Sequence, residues 1–391
     1  MDFISYGKQH ITDEDIQAVA EVLRSDYLTQ GPVIARFEEA IADYVGSDYA
    51  VACVNATAAL HLCCMSLDVG KEDIVWTSPI SFVASANCAL YCGAKVDFVD
   101  INPQTYNMDM GILEEKLRDA KLSNTLPKVV IPVHFSGQSC DMQQLHKLSL
   151  EYGFYIIEDA SHAVGASYQK RHVGSCQYSD MSVFSFHPVK IITTGEGGIV
   201  TTNNSDLAKK LSRLRTHGIT RDVELLHDKN AGPWYYEQLE LGFNYRITDI
   251  QCALGLSQLT RIGTYIEKRR LIRELYDKKL ADLEGVILPY CESSCDSSWH
   301  LYVIQVINAD RKAVFESMRS ANIGVNVHYI PIHLQPYYKN LGFQENDFPN
   351  AENYYNNAIT LPLHPQLEIE HIEYICDQLS TAIKASQGVL L

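Results

Sequence analysis

No stretch of this sequence approaches the roughly 20 consecutive apolar residues that a membrane helix needs. The first ten residues, MDFISYGKQH, lack the basic start and apolar run of a secretory signal, so the cytoplasm is the expected location. Basic residues are in deficit. Lys and Arg number 32 against 48 Asp and Glu, for a formal net charge of −16, and the basic residues are scattered. That pattern argues against nucleic acid or an anionic membrane as partner. A small phosphate-bearing ligand stays open, because backbone donors at a helix N-terminus hold phosphate whatever the global charge. There is no Gly-x-Gly-x-x-Gly after an apolar run, which removes the dinucleotide fingerprint. Internal repeats and low-complexity tracts are absent too. Cysteines number 11, with no Cys-x-x-Cys pair. Cys88 and Cys92, and likewise Cys291 and Cys295, stand four apart, but no histidine or second pair completes a zinc pattern, and no metal site is expected. Reduced, mostly buried thiols are the plain expectation.

What is present is an ordinary globular composition over 391 residues, 46% hydrophobic and 20% charged, long enough for a large core in two or three units. Thr12 with Asp15 suggests a capping box, followed by Ile16, Val19, Ala20 and Leu23 at helical spacing. Pro32 opens a second helix with Phe37, Ile41 and Tyr44 on one face. Short apolar runs then alternate with amphipathic segments. Strands are expected at Tyr49–Cys53, Ile74–Thr77, Val96–Val99, Val129–Val133, Phe154–Glu158 and Met181–Phe184. Helices are expected at Ala56–Leu67, Phe82–Tyr91, Met110–Asp119 and Met142–Tyr152. Such alternation predicts a mostly parallel sheet covered on both faces. After about residue 250 the pattern changes to a long helical stretch, Ile250–Leu283. Strands at Leu301–Val306 and Val325–His328 and helices at Ala309–Ala321 and Ile369–Ala385 follow. The expectation is a large α/β domain over 1–250, and a linking helix with a smaller C-terminal α+β domain over 251–391. The polar stretch Cys291–Ser298 reads as a surface loop.

In open α/β sheets ligands bind beyond the carboxyl ends of the strands. Asp159 follows one strand. It could pair with a cationic ring nitrogen, or simply cap a helix. Another strand is followed by Ser185-Phe186-His187-Pro188-Val189-Lys190, then by Gly195, Gly197 and Gly198. A partly buried lysine there could spend time as a neutral amine and form a Schiff base, and the glycines permit tight turns beside a bulky ring. After Tyr49–Cys53, the small residues Asn55-Ala56-Thr57 open a helix whose N–H groups could face a phosphate. Phe82, at a loop-to-helix junction, could stack on a flat ligand or fill the core.

In order and spacing, these residues resemble the DegT/DnrJ/EryC1/StrS family of sugar aminotransferases, within the aspartate-aminotransferase-like fold type I of pyridoxal 5′-phosphate (PLP) enzymes. The resemblance runs along essentially the whole chain. It is carried by Leu28-Thr29-Gln30-Gly31-Pro32, Asn55-Ala56-Thr57-Ala58-Ala59-Leu60, Pro79-Ile80-Ser81-Phe82, Glu158-Asp159-Ala160-Ser161-His162-Ala163, Ser185 to Lys190 with the Gly-Glu-Gly-Gly tail, Gly242-Phe243-Asn244-Tyr245-Arg246 and Val327-His328-Tyr329. It implies that Lys190 holds PLP as a Schiff base and shuttles the proton. Asp159 would pair with the pyridinium nitrogen, and Phe82 would stack on the ring. His162 would lie by the ring or its 3-oxygen, where many relatives have glutamine. Ala56, Thr57 and Ser185 would hold the phosphate. Asn244 would reach the phosphate of a neighbouring subunit, which implies a homodimer with shared sites.

Within the family the chain is most similar to the branch serving pseudaminic acid biosynthesis. That branch uses L-glutamate, released as 2-oxoglutarate, to aminate UDP-2-acetamido-2,6-dideoxy-β-L-arabino-hex-4-ulose, a UDP-linked 4-keto sugar. By that resemblance Tyr6, Asp26, Tyr27, Leu28, Thr29, His328, Tyr329, Ile330 and Pro331 line the sugar-nucleotide site. Arg246, with its fork geometry, is a candidate carboxylate or phosphate contact, or else a structural interface arginine. The chain departs from the family's usual Ser-Gly-Thr phosphate turn, which reads Asn55-Ala56-Thr57. It keeps Lys190 where dehydratase relatives carry histidine, which favours transamination. A related aminotransferase for another UDP- or dTDP-linked keto sugar, and a PLP-binding regulator without turnover, are the alternatives; the retained Lys190, Asp159 and glycine turn speak against the second.

Overall fold

A computed structural model describes residues 2–387; residues 388–391 of the expected C-terminal unit lie outside the described residues. Two helices come first, α1 (Asp13–Leu23) and α2 (Pro32–Val45). The first strand is β1 (Tyr49–Cys53), followed by α3 (Ala56–Ser66), β2 (Ile74–Thr77), α4 (Ala84–Tyr91), β3 (Lys95–Phe98) and α5 (Met110–Ser123). Next come β4 (Val129–Ile131), α6 (Met142–Tyr152), β5 (Tyr155–Asp159), β6 (Met181–Ser185), β7 (Gly198–Thr202) and α7 (Ser205–Leu214). The seven strands form one sheet in the order β1-β7-β6-β5-β4-β2-β3. Pairs from β3 across to β6 are parallel, and β7 runs antiparallel to both neighbours. The expected mostly parallel α/β sheet is thus present. Its central strands are buried end to end because both faces of the sheet are covered.

The C-terminal part starts with α8 (Asp249–Leu259) and α9 (Ile262–Leu280). The continuous helix expected over Ile250–Leu283 is interrupted at Thr260–Arg261. There the Thr260 hydroxyl donates to the Ser257 carbonyl and Arg261 reaches back to Asp15 at 2.5 Å. A second sheet joins β8 (Val286–Ile287), β9 (Tyr302–Val306) and β10 (Ala358–Leu361), all antiparallel. It is covered by α10 (Arg311–Ser320), α12 (Pro349–Asn357) and α13 (Ile369–Gln387), while the short α11 (Pro336–Lys339) packs on the large domain, where the Tyr338 hydroxyl donates to Asn87 at 2.6 Å. Residues 325–328, expected as a strand, make only one bridge, Asn326 to Thr360. The polar stretch Cys291–Ser298 is more than a loop, since Cys295–Asp296 pairs with Ser167–Tyr168.

Of the four apolar clusters among the described residues, two frame the site. One packs α3, α4 and the central strands; the other packs Tyr276, Tyr302, Ile304, Ile375 and Leu379, with Ile4 from the opposite end of the chain. Arg269 of α9 is buried beneath the junction and donates to the carbonyls of Trp299, His300 and Leu363. All three bonds come from Nη1, which offsets part of the cost of burying the guanidinium, while Nε has no partner. The arrangement ties α9 to the backbone that carries His300. All 11 cysteines are free thiols. Among the described residues no helix is long and apolar enough to cross a membrane, and no group of side chains is arranged to hold a metal ion.

Candidate active site

The carboxyl ends of β1, β5 and β6 open on a cavity of about 620 Å³, completed by Tyr6 and by residues 326–329 of the C-terminal part. Sequence and topology together explain the convergence. Each strand delivers its last residue to the same sheet edge, and the turn after it supplies the next few side chains. Asp159 ends β5 and is buried. Its carboxylate accepts from the Ser85 hydroxyl at 2.5 Å and from the Ser161 N–H at 3.1 Å. Ser85 is also linked to Ser81 at 2.6 Å. The carboxylate is therefore fixed in direction by α4 and by its own turn, and it still faces the cavity.

Lys190 lies on the cavity wall in the turn that follows β6. Burial pulls its amine down to about 8 from an ordinary 10.5, and the Asp159 charge offsets part of that. The turn is folded tightly back on itself. The Phe186 N–H donates to Gly197 O, and the Thr194 N–H donates to Phe186 O. At Gly198 the backbone of β7 runs against the start of α3: a Cβ there would lie 2.4 Å from the Asn55 carbonyl carbon and 2.5 Å from the Ala56 nitrogen. Only glycine fits that approach. Asn55 caps α3 by accepting the Ala58 N–H at 2.8 Å, so its side chain occupies the cap position at the cavity edge where Ala56, Thr57 and Ser185 stand.

The opposite wall is aromatic. Phe82 leaves 59% of its surface open, and Tyr329 stands with its ring centre 6.5 Å away. His162 has its Nε2 3.0 Å from the Tyr329 hydroxyl and its Nδ1 3.3 Å from the Ser136 N–H. His328 contacts Thr360 at 2.8 Å through Nδ1. Burial drives His162, His300 and His328 below the usual imidazole range, His328 to about 3, with Lys190 adding to each shift. All three are neutral near neutral pH, and the Lys190 amine titrates about 8.

Of the residues singled out from the sequence, Tyr6, Ala56, Thr57, Phe82, Asp159, His162, Ser185, Lys190, His328 and Tyr329 line this cavity together. The others do not line it in one chain. Asp26, Tyr27, Leu28 and Thr29 are exposed between α1 and α2, where Thr29 bridges to Thr248. Asn244 is exposed and bridges to Thr216. Arg246 lines a separate hollow with Gln30, Glu38 and Arg215. Pro331 is buried behind exposed Ile330, at a point where the Ile332 N–H anchors to Pro79 O. The sequence reading missed His300, Asn326, Ser81 and Glu196 on the wall, and Ser85 behind Asp159. Ser85 had no signal, being one polar residue in a helical stretch. His300 could have been noticed as a histidine directly before an apolar strand.

The geometry fits PLP. It combines a neutralisable buried amine, a fixed carboxylate for a ring N–H, a helix N-terminus for a phosphate and an open aromatic face. Comparison with known proteins agrees. Residues 9–380 match the DegT/DnrJ/EryC1/StrS aminotransferase family. The chain is 37% identical over 386 residues to UDP-4-amino-4,6-dideoxy-N-acetyl-β-L-altrosamine transaminase of Campylobacter jejuni, covering 97% of this chain and 98% of that one. It is also 37% identical over 390 residues to the spore coat polysaccharide biosynthesis protein SpsC of Bacillus subtilis, with 98% of each covered. Among solved structures, Helicobacter pylori PseC, an aminotransferase of pseudaminic acid biosynthesis, superposes with a TM-score of 0.89 at 32% identity, over 98% of this chain and all of that one. A sugar aminotransferase of Streptococcus pneumoniae, Spr1654, superposes in its PLP form with a TM-score of 0.88 at 30% identity, over 98% of this chain and 99% of that one.

Proposed function

The chain belongs to the DegT/DnrJ/EryC1/StrS aminotransferase family, and from that premise we propose that it moves the amino group of L-glutamate to C4 of UDP-2-acetamido-2,6-dideoxy-β-L-arabino-hex-4-ulose, giving UDP-4-amino-4,6-dideoxy-N-acetyl-β-L-altrosamine. The enzyme is a PLP-dependent sugar aminotransferase. The observation that carries the finer reading is one cavity of about 620 Å³ in which Lys190 and Asp159 meet residues 326–329 and Tyr6. The N-terminal and C-terminal parts thus jointly enclose room for a bulky second substrate.

PLP supplies an aldehyde carbon and a ring that accepts the electron pair released when a Cα proton leaves. The protein's own groups then have these parts. The Lys190 amine takes the proton from Cα of glutamate and returns it one step along, which it can do because burial makes the neutral form accessible near physiological pH. Asp159, held by Ser85 and Ser161, would keep the ring nitrogen protonated. Ala56, Thr57 and Ser185 would hold the phosphate at the start of α3. Phe82 would stack on the ring. Tyr6, His328 and Tyr329 contact the sugar.

The working unit is proposed to be a homodimer. Asn244 and Arg246 from one subunit, with the exposed segment Asp26–Thr29 and exposed Ile330, would complete the nucleotide and phosphate contacts across the interface. Exposed apolar residues in the segment that starts where Ile219–Thr220 pairs with Glu237–Gln238, including Trp234 at 76% and Leu241 at 77%, support such a contact. The equal identity to SpsC supports a second reading, an aminotransferase for another 4-keto or 3-keto nucleotide sugar, UDP- or dTDP-linked. The separating experiment converts the protein to its aminated form with glutamate and then offers each keto sugar. Fast recovery with the UDP-linked 4-keto sugar supports the first reading. Recovery only with a dTDP-linked or 3-keto sugar supports the second.

A further inference from the structure

One hydrogen-bond chain beside the cavity has a direction that can be read from its fixed end. Ser136 sits in the turn Phe135–Gly137 with a left-handed backbone, φ 61°. Its hydroxyl donates to Leu301 O at 2.6 Å, and its carbonyl accepts the His300 N–H at 2.9 Å. The orientation of its own N–H is therefore set by His300 and Leu301, just before β9. That N–H donates to Nδ1 of His162. A ring nitrogen that accepts carries no proton, so His162 is the neutral tautomer protonated at Nε2. Protonating Nδ1 would set two donors against each other, and burial independently disfavours the cation. The Nε2–H must then donate to the Tyr329 hydroxyl 3.0 Å away, with the phenol oxygen accepting. The proton of Tyr329 has to point elsewhere. This hydroxyl makes no other hydrogen bond among the described residues, and the side chain lines the cavity. Burial holds the phenol above its usual range, so the proton stays on.

We infer that Tyr329 donates a hydrogen bond to an acceptor oxygen of the molecule held in the cavity, and that His162 is the positioning residue that fixes this direction. The inference rests on the aminotransferase reading. The acceptor is an oxygen of either the PLP ring or the keto sugar. Without His162 the phenol could turn either way; with it, only an acceptor is satisfied. The site would then favour a carbonyl or ring oxygen over a donor group at that point, because a donor would leave the hydroxyl proton without an acceptor.

The test compares Tyr329→Phe, His162→Leu and His162→Gln with the unaltered protein. It reads the absorption band of bound PLP as a function of pH and the single-turnover rates with L-glutamate and with keto sugar. If the acceptor is the ring oxygen, Tyr329→Phe moves the pH at which the band changes and slows both half-reactions. If the acceptor belongs to the sugar, the band and the glutamate step stay as they were and the sugar step slows roughly tenfold. In both cases His162→Leu reproduces Tyr329→Phe, the double variant is no worse than either, and His162→Gln, which can present an N–H near the position of Nε2, recovers most of the rate. Retention of the band shows that each variant is folded. A Tyr329→Phe variant with an unmoved band and unmoved rates would overturn the inference, as would His162→Gln and His162→Leu being equally slow. Absence of any band or glutamate response in the unaltered protein would instead remove the aminotransferase reading, and this inference with it.

Discussion

A lysine facing a carboxylate ordinarily keeps its proton, but at Lys190 burial outweighs Asp159 and brings the amine to about 8. The sign of the consequence follows. Only the neutral amine attacks an aldehyde, so cofactor-stripped protein should take up PLP faster as pH rises, levelling off above about 8. Stopped-flow absorbance at several pH values checks this, and a rise delayed to the ordinary value of 10.5 would contradict it. Asp159 offers a second test at the same scale. Asp159→Asn keeps the shape and the Ser85 and Ser161 partners but removes the charge opposite a ring N–H, which should cost roughly 2–5 kcal/mol in the glutamate half-reaction. A single-turnover rate near that of the unaltered protein would show that the carboxylate is only a cap.

At the scale of elements, the meeting of β7 with the start of α3 places the Lys190 turn beside the phosphate end of the cavity. Gly198→Ala puts a methyl carbon within 2.5 Å of two backbone atoms that cannot yield independently. The expected result is a loss of about 1–3 kcal/mol of stability, seen as a lower Tm, together with weaker PLP binding by titration. Unchanged Tm and affinity would mean the strand shifts freely. This contact also shows what the sequence did and did not carry. Strand ends such as Cys53, Asp159 and Ser185 were legible because an alternating chain places each motif directly after its own strand. β7 was not, since it follows a glycine turn and runs antiparallel, against the pattern of its neighbours. α1 was placed correctly but its face was not: Ile16 and Leu23 are 59% and 57% exposed, while Asp15 is buried in a network with Gln258 and Arg261. Helical spacing finds an apolar stripe, and it cannot tell whether that stripe meets the chain's own core or another surface. Ser85 depends on its contact with Asp159, 74 residues away, which no local pattern encodes.

For the whole molecule, the residues left outside the cavity are as informative as those inside. Asn244, Arg246 and Asp26–Thr29 are surface features in one chain, and the proposed dimer gives them a use. Lys190→Ala and Asn244→Ala would then damage different subunits' contributions to one site. Mixed after unfolding and refolding together, the two inactive variants should recover about a quarter of full activity, because half the dimers are hybrids and each hybrid holds one intact site. No recovery in a mixture shown to contain hybrids would place both residues in the same chain's site. Arg269 tests the other long-range link. Arg269→Met leaves the carbonyls of Trp299, His300 and Leu363 without their donor, and should lower stability by about 1–3 kcal/mol in denaturant unfolding.

The most direct measurement of all is the absorbance spectrum of the purified protein, before and after L-glutamate, beside that of Lys190→Ala. The account predicts a visible band from PLP joined to Lys190 and its replacement by a shorter-wavelength band once glutamate is added. In a folded Lys190→Ala protein it predicts no such starting band and no turnover. A protein that shows no band even after incubation with PLP, or a Lys190→Ala variant that transaminates at the normal rate, would contradict it.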